Sequence, residues 1–204
     1  MVAVAALAAL CGCGGDGGGT PRPSAPNPPG PPGLRPGPRP PSLGPGPRYR
    51  PPSLGAAAST GRPIRGLTCG RGSAPRFGVH IELFAAGRVV LVPPGIGIAP
   101  PRIRRGAYVS GGRCSYPART REPTGLIEVE RGARLRLGDF FAIWGQPLSR
   151  RRMAGFGVPV RVYVSGRLRP ADPRDIPLSR HAVIALEVGA RVPAHPSYGF
   201  PPGL

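Results

Sequence analysis

Histidine, serine and carboxylate side chains are the groups in this sequence that could perform catalysis or bind a metal ion. The three histidines are His80, His181 and His195, and imidazole is both a proton-transfer group and a common metal ligand. Their spacing matches neither a zinc finger nor a His-x-x-x-His motif. Ser165 lacks the Gly-x-Ser-x-Gly pattern of a nucleophile elbow. We therefore predict that the chain is not an enzyme, holds no metal and needs no cofactor.

Two cysteines, Cys69 and Cys114, lie in the part of the chain that is rich in apolar residues. In an exported protein, such a pair most often forms one structural disulfide. A redox role would favour a closely spaced pair such as Cys-x-x-Cys, which these two are not. The sequence therefore predicts a disulfide between Cys69 and Cys114.

The N-terminus has the features of an export signal followed by a lipidation site. Residues 2–10 form a short apolar run of the length found in signal peptides. The residues that follow resemble a bacterial lipobox, with Leu10 at position −3 and a glycine at −1 before Cys13. Lipidation of Cys11 is the alternative, although it would place the bulky leucine at −1. We predict a signal peptide over residues 1–13 and a lipid anchor on Cys13.

The charge of the chain is strongly positive, with 28 arginines against nine acidic residues and a formal net charge of +19. Basic clusters occur at Arg102, Arg104 and Arg105 and at Arg150–Arg152. Aromatic residues are not interleaved with them and no nucleic-acid-binding motif is present, so nucleic acid is not an expected partner. Anionic envelope polymers or lipid headgroups are one interpretation of the charge. Solvated arginine-rich loops, produced by GC-rich coding bias, are the other.

Composition divides the remaining chain into a tether and one domain. Residues 14–66 contain 16 Pro and 13 Gly, so this segment cannot bury enough apolar surface to offset its ordering entropy. We predict that it is a disordered, proline-rich spacer. Residues 67–204 have the size and apolar patterning of a single domain. No run of 18 apolar residues occurs that could form a membrane-spanning helix.

Alternating apolar residues predict several strands within this domain. The predicted strands and hairpins are Phe77–Phe84 with Arg88–Val92, Gly125–Glu130, Val158–Val164 with Arg167–Leu168, and His181–Val188. In the first of them, Phe77, Val79, Ile81 and Leu83 should share one face.

Helical spacing occurs once, between the predicted strands. Leu137, Phe140, Phe141 and Trp144 fall at i, i+3, i+4 and i+7, and Asp139 favours a helix start nearby. The order of elements predicts an α+β fold, with a small mixed sheet packed on one short helix. The ubiquitin-like β-grasp is one arrangement of such a fold, and an all-β sandwich is the alternative.

Four motifs together resemble a family of uncharacterised exported bacterial proteins and lipoproteins, and the resemblance covers residues 67–204. The motifs are Val-Pro-Pro-Gly-Ile-Gly-Ile (92–98), Thr-Gly-Leu-Ile-Glu-Val-Glu (124–130), Leu-Gly-Asp-Phe-Phe-Ala-Ile-Trp-Gly-Gln-Pro-Leu (137–148) and Phe-Pro-Pro-Gly-Leu (200–204).

The resemblance implies a metal site that this chain has largely lost. Family members carry a His-x-His-x-His-Leu stretch, a Leu-His-Thr-His-Asp stretch and a Gly-x-Ile-His-x-Glu strand. At the corresponding positions, this chain has Gly78, His80 and Glu82, then Arg119 and Arg121, and finally Glu128. Protonated arginine cannot be a metal ligand. His80, Glu82 and Glu128 remain as weak metal candidates.

The same comparison leads to a structural hypothesis about the replaced positions. We expect Arg119 and Arg121 to form an ion-pair cluster with Glu82, Glu122 or Glu128, in place of the former polar site.

The predicted function is that of a non-catalytic, lipid-anchored protein of the cell envelope that presents a small binding or structural domain. Its expected location is extracytoplasmic, with the membrane as partner through the anchor; the sequence does not identify a protein partner. The alternatives are a degenerate extracytoplasmic metal-binding protein and a binder of anionic envelope polymers.

Overall fold

A computed structural model of the chain describes Ser53, residues 60–71 and residues 73–204. The predicted signal peptide, the lipidation candidates Cys11 and Cys13, and most of the predicted tether lie outside the described residues.

Strands make up most of the regular structure. They are β1 (Arg76–Ala85), β2 (Arg88–Val89), β3 (Ile103–Arg105), β4 (Tyr108–Gly111), β5 (Ala118–Arg119), β6 (Leu126–Glu130), β7 (Leu148–Ser149), β8 (Arg152–Met153), β9 (Val160–Val164), β10 (Arg167–Leu168) and β11 (Val183–Val188). The α-helix α1 spans Leu137–Trp144, and a 3₁₀ helix spans Pro173–Asp175.

Seven of the strands form one mixed sheet in the order β10-β9-β11-β1-β6-β5, with β2 also paired to β1. The two central strands, β1 and β11, are parallel, with His80 opposite Val183 and Ala85 opposite Val188. The other pairs in this sheet are antiparallel. Strands β3 and β4 form a separate two-stranded sheet, as do β7 and β8.

Two predicted hairpins are confirmed, and their turns have a common cause. Ala86 and Gly87 have φ of 49° and 75°, and Ser165 and Gly166 have φ of 49° and 74°. Two consecutive positive φ values belong to the type I′ turn, whose twist matches that of the flanking strands and which favours glycine. The turns therefore connect β1 to β2 and β9 to β10 directly. The other predicted strands, now β6 and β11, are also confirmed.

Helix α1 has the predicted apolar face and begins at Leu137, close to the start that Asp139 indicated. The backbone N–H of Arg136 donates to Oδ2 of Asp139 at 2.9 Å, which satisfies a donor at the helix start. Gly145 ends the helix with φ of 77°, a left-handed conformation that glycine adopts without strain. Leu137, Phe140, Phe141 and Trp144 are all buried.

The helix and one face of the sheet share a single apolar core. Val79, Ile81 and Leu83 of β1 belong to the same core cluster as the helical aromatic residues, and Phe77 packs against it. The α+β fold class is therefore confirmed. Strand β1 is buried along its length except at Phe77, so its other face must also be covered.

Packing against the domain begins before Leu67, the predicted boundary of the tether. Ile64 is buried and its backbone pairs with Leu67. The hydroxyl of Tyr116 donates to the carbonyl of Arg62 at 2.5 Å. Local composition did not predict this packing, because Tyr116, the partner of Arg62, lies 54 residues further along the chain.

No helix within the described residues is long and apolar enough to cross a membrane.

Candidate functional site

A row of polar and small residues lies on the face of β1 opposite the helix. Gly78, His80 and Glu82 alternate with the core residues of the strand, so they point the other way. His80 is only 1% exposed and Glu82 only 6%. Burying an imidazole and a carboxylate requires compensating partners, and the C-terminal segment supplies them.

The segment 190–204 covers this row in reverse order along the strand. The ring of Phe200 lies over Gly78, where an added Cβ would come within 2.5 Å of Cδ1. The ring of Tyr198 stacks on His80, with centroids 3.8 Å apart and planes at 8°. Nδ1 of His195 lies 2.7 and 2.9 Å from the two carboxylate oxygens of Glu82. We call residues 190–204 the C-terminal strap.

The hydrogen bonds of His80 determine its tautomer. Nε2 lies 3.0 Å from the carbonyl of Thr124, and a carbonyl can only accept, so Nε2 carries a proton. In the neutral ring, Nδ1 is then an acceptor; it is buried without a hydrogen-bond partner and lies 3.9 Å from Oε1 of Glu82. Burial lowers the pKa of His80, with Glu82 and the bond to Thr124 opposing that effect. The imidazole is therefore held in its neutral form.

His181 fixes the end of the strap. Its Nε2 donates to the carbonyl oxygen of Leu204 at 2.7 Å, and its ring stacks on Phe200 at 4.5 Å between centroids. The three histidines of the chain thus either contact the strap or belong to it, although their positions in the sequence show no common pattern.

The predicted ion-pair cluster is confirmed, with Glu128 as the acid. Its Oε2 lies 2.8 Å from Nε of Arg119, and its Oε1 lies 3.0 Å from Nε of Arg121. All three side chains are at least four-fifths buried. The other two candidate acids have different partners: Glu82 bonds His195, and Glu122 accepts from the hydroxyl of Thr124 at 3.3 Å.

A cavity of about 230 Å³ lies between this cluster and the end of the strap. Tyr108, Arg121, Glu122, Leu126, Glu128, Pro201 and Leu204 line it. The guanidinium of Arg121 lies 5.7 Å from the ring centroid of Tyr108. Arg121 also donates from Nη1 to the carbonyl of Ser110.

The weak metal candidates are not gathered at one point. His80 and Glu82 are neighbours, but two arginines hold Glu128. Within residues 60–71 and 73–204, no group of three or more His, Cys, Asp or Glu side chains could hold a metal ion. His195 also contacts Glu82, but the side chains of His80, Glu82 and His195 do not form such a group.

The disulfide predicted from the cysteine pattern is confirmed. Cys69 and Cys114 are bonded, with their Cα atoms 5.5 Å apart. Gly70 pairs with Ser115 beside the bond, so the disulfide joins the segment before β1 to the segment after β4.

The two basic clusters differ in the group that their first arginine contacts: a backbone carbonyl for Arg102 and a carboxylate for Arg150. In the first, Nε of Arg102 donates to the carbonyl of Ile98 at 2.7 Å, while Arg104 and Arg105 are exposed. Burial and the charge of Arg104 lower the pKa of Arg102. In the second, Nε of Arg150 lies 3.8 Å from a carboxylate oxygen of Asp172.

Sequence reasoning missed His195 and the strap. The signal that could have found them is a pair of aromatic residues, Tyr198 and Phe200, in a proline-rich segment with no strand or helix pattern. A segment of this kind becomes ordered only if its aromatic side chains pack on another part of the protein.

No family model matches the chain, and no curated protein or solved structure matches it.

Proposed function

We propose that this chain is a non-catalytic, lipid-anchored protein of the cell envelope whose domain has a binding or structural role outside the cytoplasm. The observation that carries the proposal is the disulfide between Cys69 and Cys114. Structural disulfides form and persist in oxidising compartments, whereas the cytosol keeps thiols reduced. The disulfide therefore supports export, which the apolar run at residues 2–10 also predicts.

The state of the polar groups supports a non-catalytic role. Two arginines neutralise Glu128, and His195 is bonded to Glu82. Tyr198 covers His80. An acid–base catalyst needs a titratable group within hydrogen-bond reach of a substrate, and here protein groups occupy those positions.

Lipidation of Cys13 is the finer part of the proposal. The lipobox-like sequence supports it, and Cys11 is the alternative acceptor. The proline- and glycine-rich residues 14–59 would then separate the anchor from the domain. The membrane is the resulting partner of the chain through the anchor.

We also infer that the domain is a variant of the β-grasp fold. The strand order β6-β1-β11-β9-β10 supports this, with the first and last of these strands in sequence parallel at the centre. Helix α1 lies in sequence between β6 and β9, as the ubiquitin-like arrangement requires. An experimental structure with another strand order would contradict the inference.

Cell fractionation of a bacterial host expressing the full chain tests the anchor. Cys13→Ala should move the protein from the membrane fraction to the soluble extracytoplasmic fraction when the membranes are washed with high salt, which screens ionic contacts to lipid, and Cys11→Ala is the matched control that should leave it in the membrane. Intact mass under non-reducing conditions should show a chain beginning at Cys13 with its lipid. The mass should also lack two hydrogens for the disulfide.

Two outcomes would contradict the proposal. One is a Cys13→Ala protein that stays in the membrane as fully as the unchanged chain. The other is a full-length, unprocessed chain with free thiols, since that result would assign the protein to the cytoplasm.

A further inference from the structure

The β3–β4 hairpin exposes apolar and basic side chains side by side. Its two strands pair with each other in a sheet separate from the seven-stranded one, and the backbone N–H of Val109 donates to the carbonyl of Arg121 at 2.8 Å. Ile103 is 63% exposed and Tyr108 is 40% exposed. Residues 103–107 are exposed throughout. Moving an apolar side chain of this size out of water is favourable. Burial of Ile103 and Tyr108 against a partner would therefore stabilise binding.

Positive charge surrounds these apolar side chains. Within the described residues, neither Arg104 nor Arg105 lies within ion-pair distance of a carboxylate. Arg105 is paired with Tyr108 across the hairpin, which places the two side chains next to each other on one face. An arginine beside a tyrosine and an isoleucine is the side-chain set that lies at a lipid–water interface.

The base of the hairpin is rigidly held. Ile98 pairs with Ser115 below the hairpin, and the backbone N–H of Arg113 donates to the carbonyl of Ala99 at 2.9 Å. The disulfide at Cys114 then joins this base to the segment before β1. The exposed tip is therefore presented on a fixed stem.

The N-terminal part of the chain joins the domain at this same base. Nη2 of Arg113 donates to the carbonyl of Thr60, and an added Cβ at Gly61 would lie 3.1 Å from Sγ of Cys114. Residues 1–59, which precede this point, contain the predicted anchor. A lipid on that segment would therefore hold the domain close to the bilayer, within the reach of the tether.

We propose that the β3–β4 hairpin docks on a bilayer surface that contains anionic lipid. Ile103 and Tyr108 enter the headgroup region, and Arg104 and Arg105 bind lipid phosphates. The anchor that holds the domain at a bilayer rests on the proposed function, whereas the docking itself needs only the hairpin. A soluble polyanion would account for the arginines but gives Ile103 no apolar environment, and the bilayer accounts for both.

Vesicle co-sedimentation of the full chain tests this proposal. The chain carries Cys11→Ala and Cys13→Ala, so that no lipid anchor contributes, and keeps its disulfide. Vesicles of phosphatidylglycerol and phosphatidylcholine should bind it, and vesicles of phosphatidylcholine alone should bind it much less. Neutral vesicles also measure any contribution from residues 2–10, which is the same in every variant.

The variants separate the apolar from the ionic contribution. Ile103→Ser should weaken binding to the anionic vesicles about tenfold, as expected for an isoleucine that leaves water. The double variant Arg104→Gln, Arg105→Gln should weaken it by about tenfold or more, because each arginine near an anionic surface contributes.

The chain offers a closely matched control at β10. Leu168 is 56% exposed and lies between the exposed Arg167 and Arg169, so it has the same composition at a different place. Leu168→Ser and the double variant Arg167→Gln, Arg169→Gln should each change binding by no more than about twofold, as for ordinary surface substitutions.

Three results would overturn the proposal. Equal losses at β10 and at the hairpin would mean that net charge alone drives binding. Full binding by the Ile103→Ser variant, together with competition by a soluble polyphosphate, would assign the arginines to a polymer. Equal binding to neutral and anionic vesicles would remove the role of the arginines. Absence of lipidation in cells would overturn the anchor but would leave this assay unchanged.

Discussion

Phe200 occupies the space that a side chain at position 78 would need. An added Cβ on Gly78 would lie 2.5 Å from Cδ1 of Phe200 and 3.1 Å from its Cε1. Real Cβ atoms do not approach so closely, so glycine at this position is a condition for the strap to lie flat on β1. The contact couples the C-terminus to the centre of the sheet.

Gly78→Ala should therefore displace the strap. We expect a loss of about 1–3 kcal/mol in the free energy of unfolding, the usual cost of overpacking. The displaced strap should also be cut faster by chymotrypsin after Tyr198, which stacks on His80 in the unchanged protein. Urea unfolding and limited proteolysis measure the two effects.

A double-mutant cycle with Phe200→Ala identifies the clashing group. Gly78→Ala should cost less in the Phe200→Ala background, because the ring is gone. Ser197→Ala, at an exposed position of the strap, serves as the control and should leave both measurements unchanged. An equal cost in the two backgrounds would assign the strain to Leu126, whose Cδ1 would lie 3.2 Å from the added Cβ.

His80 should make the stability of the domain depend on pH. Its pKa in the folded protein is below the ordinary value of 6.5, chiefly because of burial. The unfolded chain therefore binds the proton first, and stability falls as the pH drops below that value. The stabilising contribution of the neutral His80 is complete above pH 6.5, the ordinary pKa. It is lost as the pH falls from there through the lower pKa of the folded state.

His80→Phe isolates this effect from the other titrating groups. Phenylalanine keeps a ring against Tyr198 and does not titrate, and the donor lost at the carbonyl of Thr124 is lost at every pH. We expect the stability of the unchanged protein, relative to the variant, to be greater at about pH 7.5 than at about pH 5.5. A difference that is constant, or that grows toward acid, would contradict the burial of a neutral imidazole. Urea unfolding at both pH values provides the measurement.

The sequence predicted the elements whose signals are local. Glycine at the second position of two tight turns, Gly87 and Gly166, defines the hairpins, and the spacing from Leu137 to Trp144 defines the helix. In each case the signal and the structure that it produces lie within a few residues. The same holds for the apolar face of β1.

The strap and the two small hairpins could not be predicted in the same way. The partners of His195 and Phe200 are more than 100 residues away, at Glu82 and Gly78, and no periodic pattern connects them. Strands β3 and β7 have only three and two residues, too few for an alternating pattern to be recognised. The pairing of Arg119 and Arg121 with Glu128 was foreseen because a family resemblance, rather than periodicity, grouped these positions.

The disulfide should contribute a large part of the free energy of unfolding of the domain. It connects residues 45 positions apart in the sequence, and cross-linking a loop of this length restricts the unfolded chain by about 4 kcal/mol in the chain-entropy model. The double variant Cys69→Ala, Cys114→Ala should lose about 2–5 kcal/mol in urea unfolding. If its stability equals that of the oxidised protein, the bond has no structural role.

Two neighbouring acids on β6 provide a test of the ion-pair cluster. Glu128 holds both Arg119 and Arg121 and its side chain is 13% exposed, whereas Glu130 lies 3.7 Å from Arg76 and is 37% exposed. Glu128→Gln should cost about 1.5–3 kcal/mol, because it weakens hydrogen bonds to two largely buried cations. Glu130→Gln removes the same charge from the same strand and should cost less, because Glu130 is itself partly exposed and the buried Arg76 keeps its hydrogen bonds to the carbonyls of Tyr116, Pro117 and Glu128. Urea unfolding of the two variants at neutral pH gives the comparison. Similar losses would mean that removing an acid from a strongly basic domain, rather than the cluster at Glu128, determines the cost.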